Sequence, residues 1–425
     1  MYRSPRGTTD ILPQEQPFWR FVKQAASDHC QLYGYQRIET PVFEEAGLFV
    51  RTVGESTDIV EKEMYSFKDR DEQLMTLRPE GTAPVCRAYL EHGMQNLTQP
   101  VRLYYFASIF RYERPQAGRY REHHQFGAEA IGDADPALDA EIIELAWSLY
   151  ASLGLKDITI LLNSIGCPKC RPAYLEELKR YYSGRMADLC PECQRRMDRN
   201  ALRLLDCKNQ ACSIHVAEAP KSHAHLCPEC AVHFESLRRY LGVMGIPFQL
   251  EHRLVRGLDY YTKTVFEVQP LGGGAQSTIG GGGRYDNLIE QLGGKPTPAV
   301  GFATGLERII LNLKKQNIEA SPLPGPGVFV ASLGEAARDR SLKLVSDLRK
   351  AGVGAVLSSG GRSLKAQLRQ ANALGTTRAV IIGEDELKKG VAMLRDMQTS
   401  QQREVSLESL VAEVGGEGPE NGSRG

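Results

Sequence analysis

The sequence predicts an α+β fold: an antiparallel sheet flanked by helices, interrupted by a helical insertion and followed by a smaller C-terminal α/β domain. Three observations predict it. VRLYYFASIFR (101–111) and REHHQFGAEAIG (121–132) read as two strands joined by YERPQAGRY, a long basic loop with Pro and Gly. Eight of the ten cysteines fall between Cys167 and Cys230, in a polar, helix-rich stretch that breaks into strand-rich sequence. From Val328 onward, strand and helix signals alternate.

In chain order, residues 17–33 carry helical spacing, with Phe18, Phe21, Val22, Ala25 and Leu32 on one face and Gly34 ending the run. YQRIETPVFE follows as an extended segment. Its Pro41 cannot donate to a ladder, which suits an edge or an interface. In the second strand of the hairpin, a period of two puts His123, Gln125 and Glu129 on one face. Residues 136–153 read as a helix ending at Gly154. The cysteine-rich insertion spans 164–253. LVRGLDYYTKTVFE (254–267) opens a strand, but Arg256, Tyr260 and Tyr261 stand at its mouth. Alternation cannot put both tyrosines on one face, so at least one acts before pleating begins. AVGFATGLERIILNLKK (299–315) is a glycine-rich strand running into a helix, and NIEASPLPGPG (317–327) is a linker. VFVASL, a helix at 335–351, VGAVLS, a helix at 363–374 and AVIIG make up the C-terminal domain. The tail, 415–425, is expected to be disordered.

At 425 residues the chain is too long for one ordinary core, so two or three domains are expected. No apolar run approaches a membrane span, and the N-terminus lacks the apolar core of a secretory signal; a cytoplasmic protein is expected. Fifty-two basic residues balance 52 acidic ones, so nucleic-acid binding would have to come from local patches. In a reducing compartment, close cysteine pairs point to metal before disulfides.

The polar inventory is Glu80 after an X-Pro turn, Arg111 at a strand end, Gln125 with Glu129, Arg256 with Tyr260 and Tyr261, Tyr285 after four glycines, and Arg308 early in a helix. Singly, each is an ordinary surface or packing residue. Together, arginines at sheet ends beside glycine-rich backbone suit a polyphosphate, because guanidinium forks match phosphate oxygens. The chain has no GxxxxGK[ST] loop.

RLYYFASIFRYERPQAGRYREHHQFGAEAIG resembles motif 2 of class II aminoacyl-tRNA synthetases, and AVGFATGLERI resembles motif 3. The helix and strand ending at Pro41 resemble motif 1. LVRGLDYYTKTVFE and GGGGRYDNLIEQLGG are similar to the two peptides that mark the histidyl-tRNA synthetase family within that class. The resemblance covers residues 1–414 and is weakest in the cysteine-rich part. It implies ATP-dependent activation of L-histidine to histidyl-adenylate and transfer to tRNA(His), on a class II antiparallel sheet. It divides the chain into a discontinuous catalytic domain (1–163 and 254–316), the insertion, the linker and an anticodon-binding domain (328–414).

By that resemblance, Arg111 holds the α-phosphate and the substrate carboxylate, and Arg308 reaches the γ-phosphate and covers the adenine. Arg256 lies across the α-phosphate, where other class II enzymes often use a metal ion. Glu113 and His123 complete the ATP site, with Mg2+ on the outer phosphates. Glu80, Gly81 and Thr82 take the histidine ammonium. Glu129, Gln125 and Tyr261 read the ring, while Tyr260 and Tyr285 close the pocket. Many family members carry Phe where this chain has His123, stacked on adenine. An imidazole is smaller and titrates near neutrality, which implies weaker and more pH-sensitive ATP binding across about pH 6–8. His124 is assigned to structure. No segment resembles an editing domain.

The cysteines form CPKC (Cys167, Cys170), CPEC (Cys190, Cys193), Cys207-x4-Cys212 and CPEC (Cys227, Cys230). Two CxxC turns complete a tetrahedron around Zn2+, so eight thiols suffice for two sites, in a pairing the sequence leaves open. Nearby His215, His223, His225 and His233 are possible substitutes. Many family members lack these cysteines. Cys30 and Cys86 are isolated and expected to be buried.

Between Asp339 and Arg378, eight Lys or Arg face two Asp, which fits phosphate contacts in an anticodon binder. The motif 2 loop, with Arg114, Arg119 and Arg121, is expected at the acceptor end of the tRNA, as is the insertion. Motif 1 implies a homodimer with Pro41 at its interface. Three rivals fit less well: the non-catalytic regulatory subunit of ATP phosphoribosyltransferase, which should lack the arginines and the C-terminal domain; another class II synthetase, against which the Arg256–Tyr261 peptide argues; and a generic ATP-binding interaction protein, which leaves Gln125 and Glu129 unexplained.

Overall fold

The computed structural model describes residues 2–55, 57–114, 120–207, 209–271, 277–358 and 361–415. The chain folds as two compact units, Met1–Ser321 and Pro322–Gly425. Apart from Gly415, the tail expected to be disordered lies outside the described residues, as do Arg119 and part of the 272–283 glycine run.

The strands of the first unit are β1 (Gln36–Arg37), β2 (Phe43–Glu45), β3 (Tyr65–Lys68), β4 (Leu74–Leu77), β5 (Val101–Phe110), β6 (Glu122–Ile131), β7 (Ile158–Ser164), β8 (Phe248–Leu250), β9 (Thr262–Pro270), β10 (Gly280–Arg284) and β11 (Ala299–Gly305). Eight of them form one sheet in the order β1-β5-β6-β11-β10-β9-β7-β8. It is antiparallel except at its two edges, where β1 joins β5 and β8 joins β7 in parallel. The expected hairpin is its second and third strands: β5 and β6 pair along their whole length, with Ala107 opposite Gln125 and Leu103 opposite Glu129.

Alternation divides the sheet's side chains between two layers. Tyr104, Phe126, Ile160, Phe266, Val268 and Phe302 face one way, packed with residues of the helices Gln16–Leu32, Pro136–Ser152, Pro228–Val243 and Leu306–Lys315. Leu103, Tyr105, Ile109 and Val265 belong to the other core, which the insertion shares through Tyr174, Leu178 and Tyr182. The insertion therefore borrows its core from the sheet. It is helical (Arg171–Ser183, Pro191–Arg199, Gln210–Ser213, Pro228–Val243) and returns through the edge strand β8.

The first helix is rotated from its expected stripe. Trp19, Val22, Ala26 and Cys30 form its buried seam, while Leu32 is 80% exposed at the last turn. Cys30 and Cys86 are both buried. The helix Pro136–Ser152 begins where the chain signals it. Asp135 caps it by accepting the Ala137 N–H at 2.8 Å, and Pro136 occupies a position whose N–H would be unpaired in any case.

The second unit holds β12 (Val328–Ser332), β13 (Ala355–Leu357), β14 (Arg378–Ile382), β15 (Val391–Asp396) and β16 (Gln402–Ser406), in the order β13-β12-β14-β15-β16. The alternating α/β reading accounts for the parallel trio. The antiparallel pair β15–β16 adds to it.

A buried ion pair anchors β10. Arg284 and Asp139 have fully buried side chains. Arg284 Nε donates to Asp139 Oδ2 at 2.9 Å, Nη1 to the Asp133 carbonyl at 2.9 Å and to Asp286 Oδ1 at 3.2 Å, and Nη2 to the Asp135 carbonyl at 3.2 Å and to Asp139. Removing one partner strands a buried charge. Arg284→Met is expected to cost about 3–5 kcal/mol, read as a fall in the urea midpoint of the first unit. Arg284→Met with Asp139→Leu is expected to recover part of that loss; a double variant as unstable as the single one would contradict this account.

Candidate active site

The face of the sheet opposite the long helices carries two joined hollows. The inner one, about 70 Å3, is lined by Glu80, Thr82, Gln125, Glu129, Tyr260, Tyr261 and Tyr285, among others. Gln125 and Glu129 reach it together because they lie four residues apart on β6. Opposite Glu129 on β11 is Gly301. A Cβ there would sit 1.8 Å from Glu129 Oε2, so only glycine leaves room for the carboxyl. Glu129 accepts the hydroxyls of Thr82 at 2.8 Å, Tyr105 at 3.4 Å and Tyr285. Burial outweighs these donors and lifts its carboxyl to about 8.

Glu80 precedes the helix Thr82–Glu91 and accepts its first N–H groups, from Thr82 at 2.7 Å and Ala83 at 2.8 Å. Burial raises this carboxyl too, against those bonds. Tyr260 and Tyr261 both lie before β9, where pleating has not begun, and both enter the hollow. Their rings are 4.8 Å apart, and Tyr260 meets Tyr285 edge-on at 5.7 Å. Gly81 lines neither hollow. Its missing side chain gives space to Tyr105, whose ring would lie 2.3 Å from a Cβ. Gln125 Oε1 is buried with no partner among the described residues, so it is an acceptor open to a ligand.

The outer cleft, about 290 Å3, brings Arg111, Arg256 and Arg308 together with Glu113, His123 and glycine backbone. Arg111, Gln125 and Arg256 line both hollows. Each arginine is held in place. Arg111 Nε donates to the Pro79 carbonyl at 2.7 Å, and Arg308 Nη1 to the Thr278 carbonyl at 2.5 Å. Arg256 Nη1 pairs with Glu267 at 2.5 Å, and its guanidinium lies 5.7 Å from the centre of the Tyr261 ring. Three carboxylates, Glu113, Glu267 and Glu307, also line the cleft, but Glu267 is engaged by Arg256 and Glu307 by His124, and three fixed guanidinium forks suit a polyphosphate.

His123 corrects the sequence reading. It lies half-buried between two of the cleft arginines. Burial first, then Arg111 and Arg308, push its imidazole down to about 3. It is therefore neutral throughout the physiological range, and it contributes no pH sensitivity there. His124 is structural: its Nδ1 meets Glu307 at 2.9 Å, and its ring packs edge-on against Trp19. Tyr105, Glu267 and Thr278 were missed. Tyr105 lies on the β5 face turned to Glu129, a position that the hairpin register would have exposed.

The eight thiols form two tetrads. Cys167, Cys170, Cys227 and Cys230 make one; Cys190, Cys193, Cys207 and Cys212 make the other, with the sulfurs of each within 4.8 Å of one another. Cys167 lies 3.8 Å from Cys170 and 3.9 Å from Cys227, and Cys190 lies 3.9 Å from Cys207. A tetrahedron with Zn–S bonds of about 2.3 Å spaces its sulfurs by roughly 3.8 Å. Burial raises the Cys167 thiol, but the N–H groups of Cys170 and Lys169 and the neighbouring thiols bring it down to about 7. Cys190 reaches about 7 in the same way, through the Cys193 N–H. His215, His225 and His233 face carboxylates instead of the thiols.

With ring-labelled histidine, the His123 resonance is expected to stay constant between about pH 5 and 8. A titration midpoint at about 6.5 would show an imidazole open to solvent and contradict the burial argument.

The geometry agrees with comparisons to known proteins. The Histidyl-tRNA synthetase family model matches residues 7–309, and the Anticodon binding domain model matches residues 327–417. A histidine–tRNA ligase of Dehalococcoides mccartyi (strain ATCC BAA-2266 / KCTC 15142 / 195) is 62% identical over 414 residues, 97% of this chain and 99% of the relative. One from Desulforamulus reducens is 51% identical over 407 residues, 96% of this chain and 97% of the relative. The crystal structure of apo S. aureus histidyl-tRNA synthetase superposes with a TM-score of 0.82 at 35% identity, covering 98% of this chain and all of the other. The chain belongs to the histidyl-tRNA synthetase family.

Proposed function

We propose that this protein joins L-histidine to ATP as histidyl-adenylate and then transfers the histidyl group to tRNA(His). The observation that carries this reading is the junction of the two hollows, where Arg111 and Arg256 line both. A small polar pocket for an amino acid opens there onto a cationic cleft for a nucleotide.

The histidine carboxylate attacks the α-phosphate, and pyrophosphate leaves. Negative charge builds on the phosphorus, so catalysis rests on positioning and cationic stabilisation. Arg111 and Arg256 meet that charge, and Arg308 takes the γ-phosphate. His123, neutral, stacks on adenine. Glu80 and Thr82 take the ammonium, while Glu129, Gln125 and Tyr261 read the imidazole. A site that hydrogen-bonds both ring nitrogens strands its own polar groups when a competitor binds, which discriminates by roughly 10⁴-fold or more without editing. Magnesium neutralises the outer phosphates, and Glu113 gives the cleft a carboxylate of the kind it takes.

The second unit, with its basic helices, is assigned to the anticodon. A homodimer is supported by Val42, Phe43, Phe67 and Leu74, large apolar side chains left exposed on and beside the small sheet β2-β4-β3, next to Pro41. Among the described residues, no helix is long and apolar enough to cross a membrane. Eight reduced thiols paired for metal suit the cytoplasm. Each tetrad is assigned one Zn2+, because four soft thiolates at this spacing match its tetrahedral shell.

ATP–pyrophosphate exchange is expected with histidine and with no other single amino acid. Arg256→Met is expected to lower its kcat by about 100- to 1000-fold, or 3–4 kcal/mol. Exchange without histidine, or an unimpaired variant, would refute the assignment. Elemental analysis of protein purified under reducing conditions is expected to give about two zinc per chain; a metal-free protein would refute the thiolate sites.

A further inference from the structure

The first thiol tetrad lies beside the segment that carries Tyr261. Cys170 caps the helix Arg171–Ser183, so Arg171 is the residue next to a ligand thiol. Its backbone N–H donates to the Cys167 carbonyl at 2.9 Å, which ties it to the CPKC turn. Its guanidinium joins three carbonyls. Nε donates to Ile165 at 3.2 Å, and Nη2 to Gly166 at 3.2 Å and to Tyr261 at 2.5 Å. The same turn joins β9 by backbone bonds: Lys263 N–H to the Gly166 carbonyl at 2.9 Å, and Ile165 N–H to the Lys263 carbonyl at 2.8 Å. Gly166 has φ +70, and a Cβ there would lie 2.8 Å from Cys170 Sγ, so the turn is closed tightly against the sulfur. Arg171 and Tyr261 also line one hollow of about 220 Å3 behind the pocket.

We propose that the metal-loaded tetrad Cys167, Cys170, Cys227 and Cys230 positions Tyr261 for histidine through the guanidinium of Arg171. This rests on the metal assignment made above. Metal fixes the CPKC turn, the turn fixes Arg171, and Arg171 holds the Tyr261 carbonyl. Among the described residues, no comparable connection runs from the tetrad to Arg111, which donates to Pro79, to His123, which lies on β6, or to Arg308, which donates to Thr278. Arg171 is thus a positioning residue for the amino-acid pocket, and it meets the nucleotide cleft through Arg256, whose guanidinium lies 5.7 Å from the centre of the Tyr261 ring.

The test uses full-length protein in pyrophosphate exchange, with histidine and ATP varied separately and zinc counted in each sample. Arg171→Lys keeps the charge but gathers its donors on one nitrogen, without the planar fork whose Nε and Nη2 reach separate carbonyls. It is expected to raise the histidine KM by about tenfold or more, with the ATP KM within about twofold and zinc content unchanged. Wild-type enzyme stripped by a chelator under reducing conditions is expected to show the same selective rise, reversed when zinc is restored; this arm needs no substitution. A histidine KM that stays constant in either arm overturns the proposal while leaving the zinc assignment intact. So does an equal rise in both KM values. Reduced protein that never contained metal overturns the zinc assignment and this proposal together.

Discussion

A guanidinium has five N–H donors, and Arg284 has no water to give them to. All five are met: by the Asp139 carboxylate, by the Asp133 and Asp135 carbonyls and by Asp286. The strand that ends in this residue needs such an anchor, because Gly280–Gly283 has no side chains with which to pack. Its ladders to β9 and β11 set its spacing, and Arg284 fixes its end against the first turn of the helix Pro136–Ser152. The register slips between Gly283 and Arg284, so the chain leaves the pleat just before Tyr285. The tyrosine that closes on Glu129 is therefore aimed by a buried ion pair on the far side of its own backbone.

The two hollows are electrostatic opposites that share a wall. Inside, Glu80 and Glu129 are buried, and desolvation makes their negative charge costly, so the pocket is primed for groups that donate or carry positive charge. Outside, three arginines favour anions, with Glu267 already engaged by Arg256 and Glu307 by His124. An amino acid seated in the first with its carboxylate toward the second meets favourable potential at both ends. Seated the other way round, it would meet repulsion at both. Orientation follows from the layout of charge before any single hydrogen bond is considered.

Much of this could be read from the chain because strand alternation is a short-range rule. The spacing of Gln125 and Glu129, and the break in pleating at Tyr260 and Tyr261, follow from neighbours in sequence. What could not be read depends on residues far away along the chain. The His123 imidazole is set by its burial beside Arg308 and Arg111, so its local identity misled. Leu32 fits a helical stripe but falls past the last covered turn. Arg284 looks like any basic residue after a glycine run, and its partner stands 145 positions earlier. The strand β15 opens on the unbroken apolar run VAML and β16 is mostly polar, so neither shows a clear apolar alternation. The pairing of the cysteines is likewise a property of the folded path.

That pairing is nested, with the outermost cysteine motifs meeting each other and enclosing the inner set. The outer tetrad therefore gathers the start of the lobe and the head of its last helix, Pro228–Val243, at a single clasp beside the end of β7. Residues between the clasp's two halves stay in touch with the catalytic unit: Ser222 donates to the Ser164 carbonyl of β7 at 2.7 Å, and Asn200 donates to Asp259 at 2.8 Å. A change in that stretch is therefore felt at the segment that leads into Tyr260 and Tyr261, so the clasp couples the lobe to the chemistry and does not insulate it.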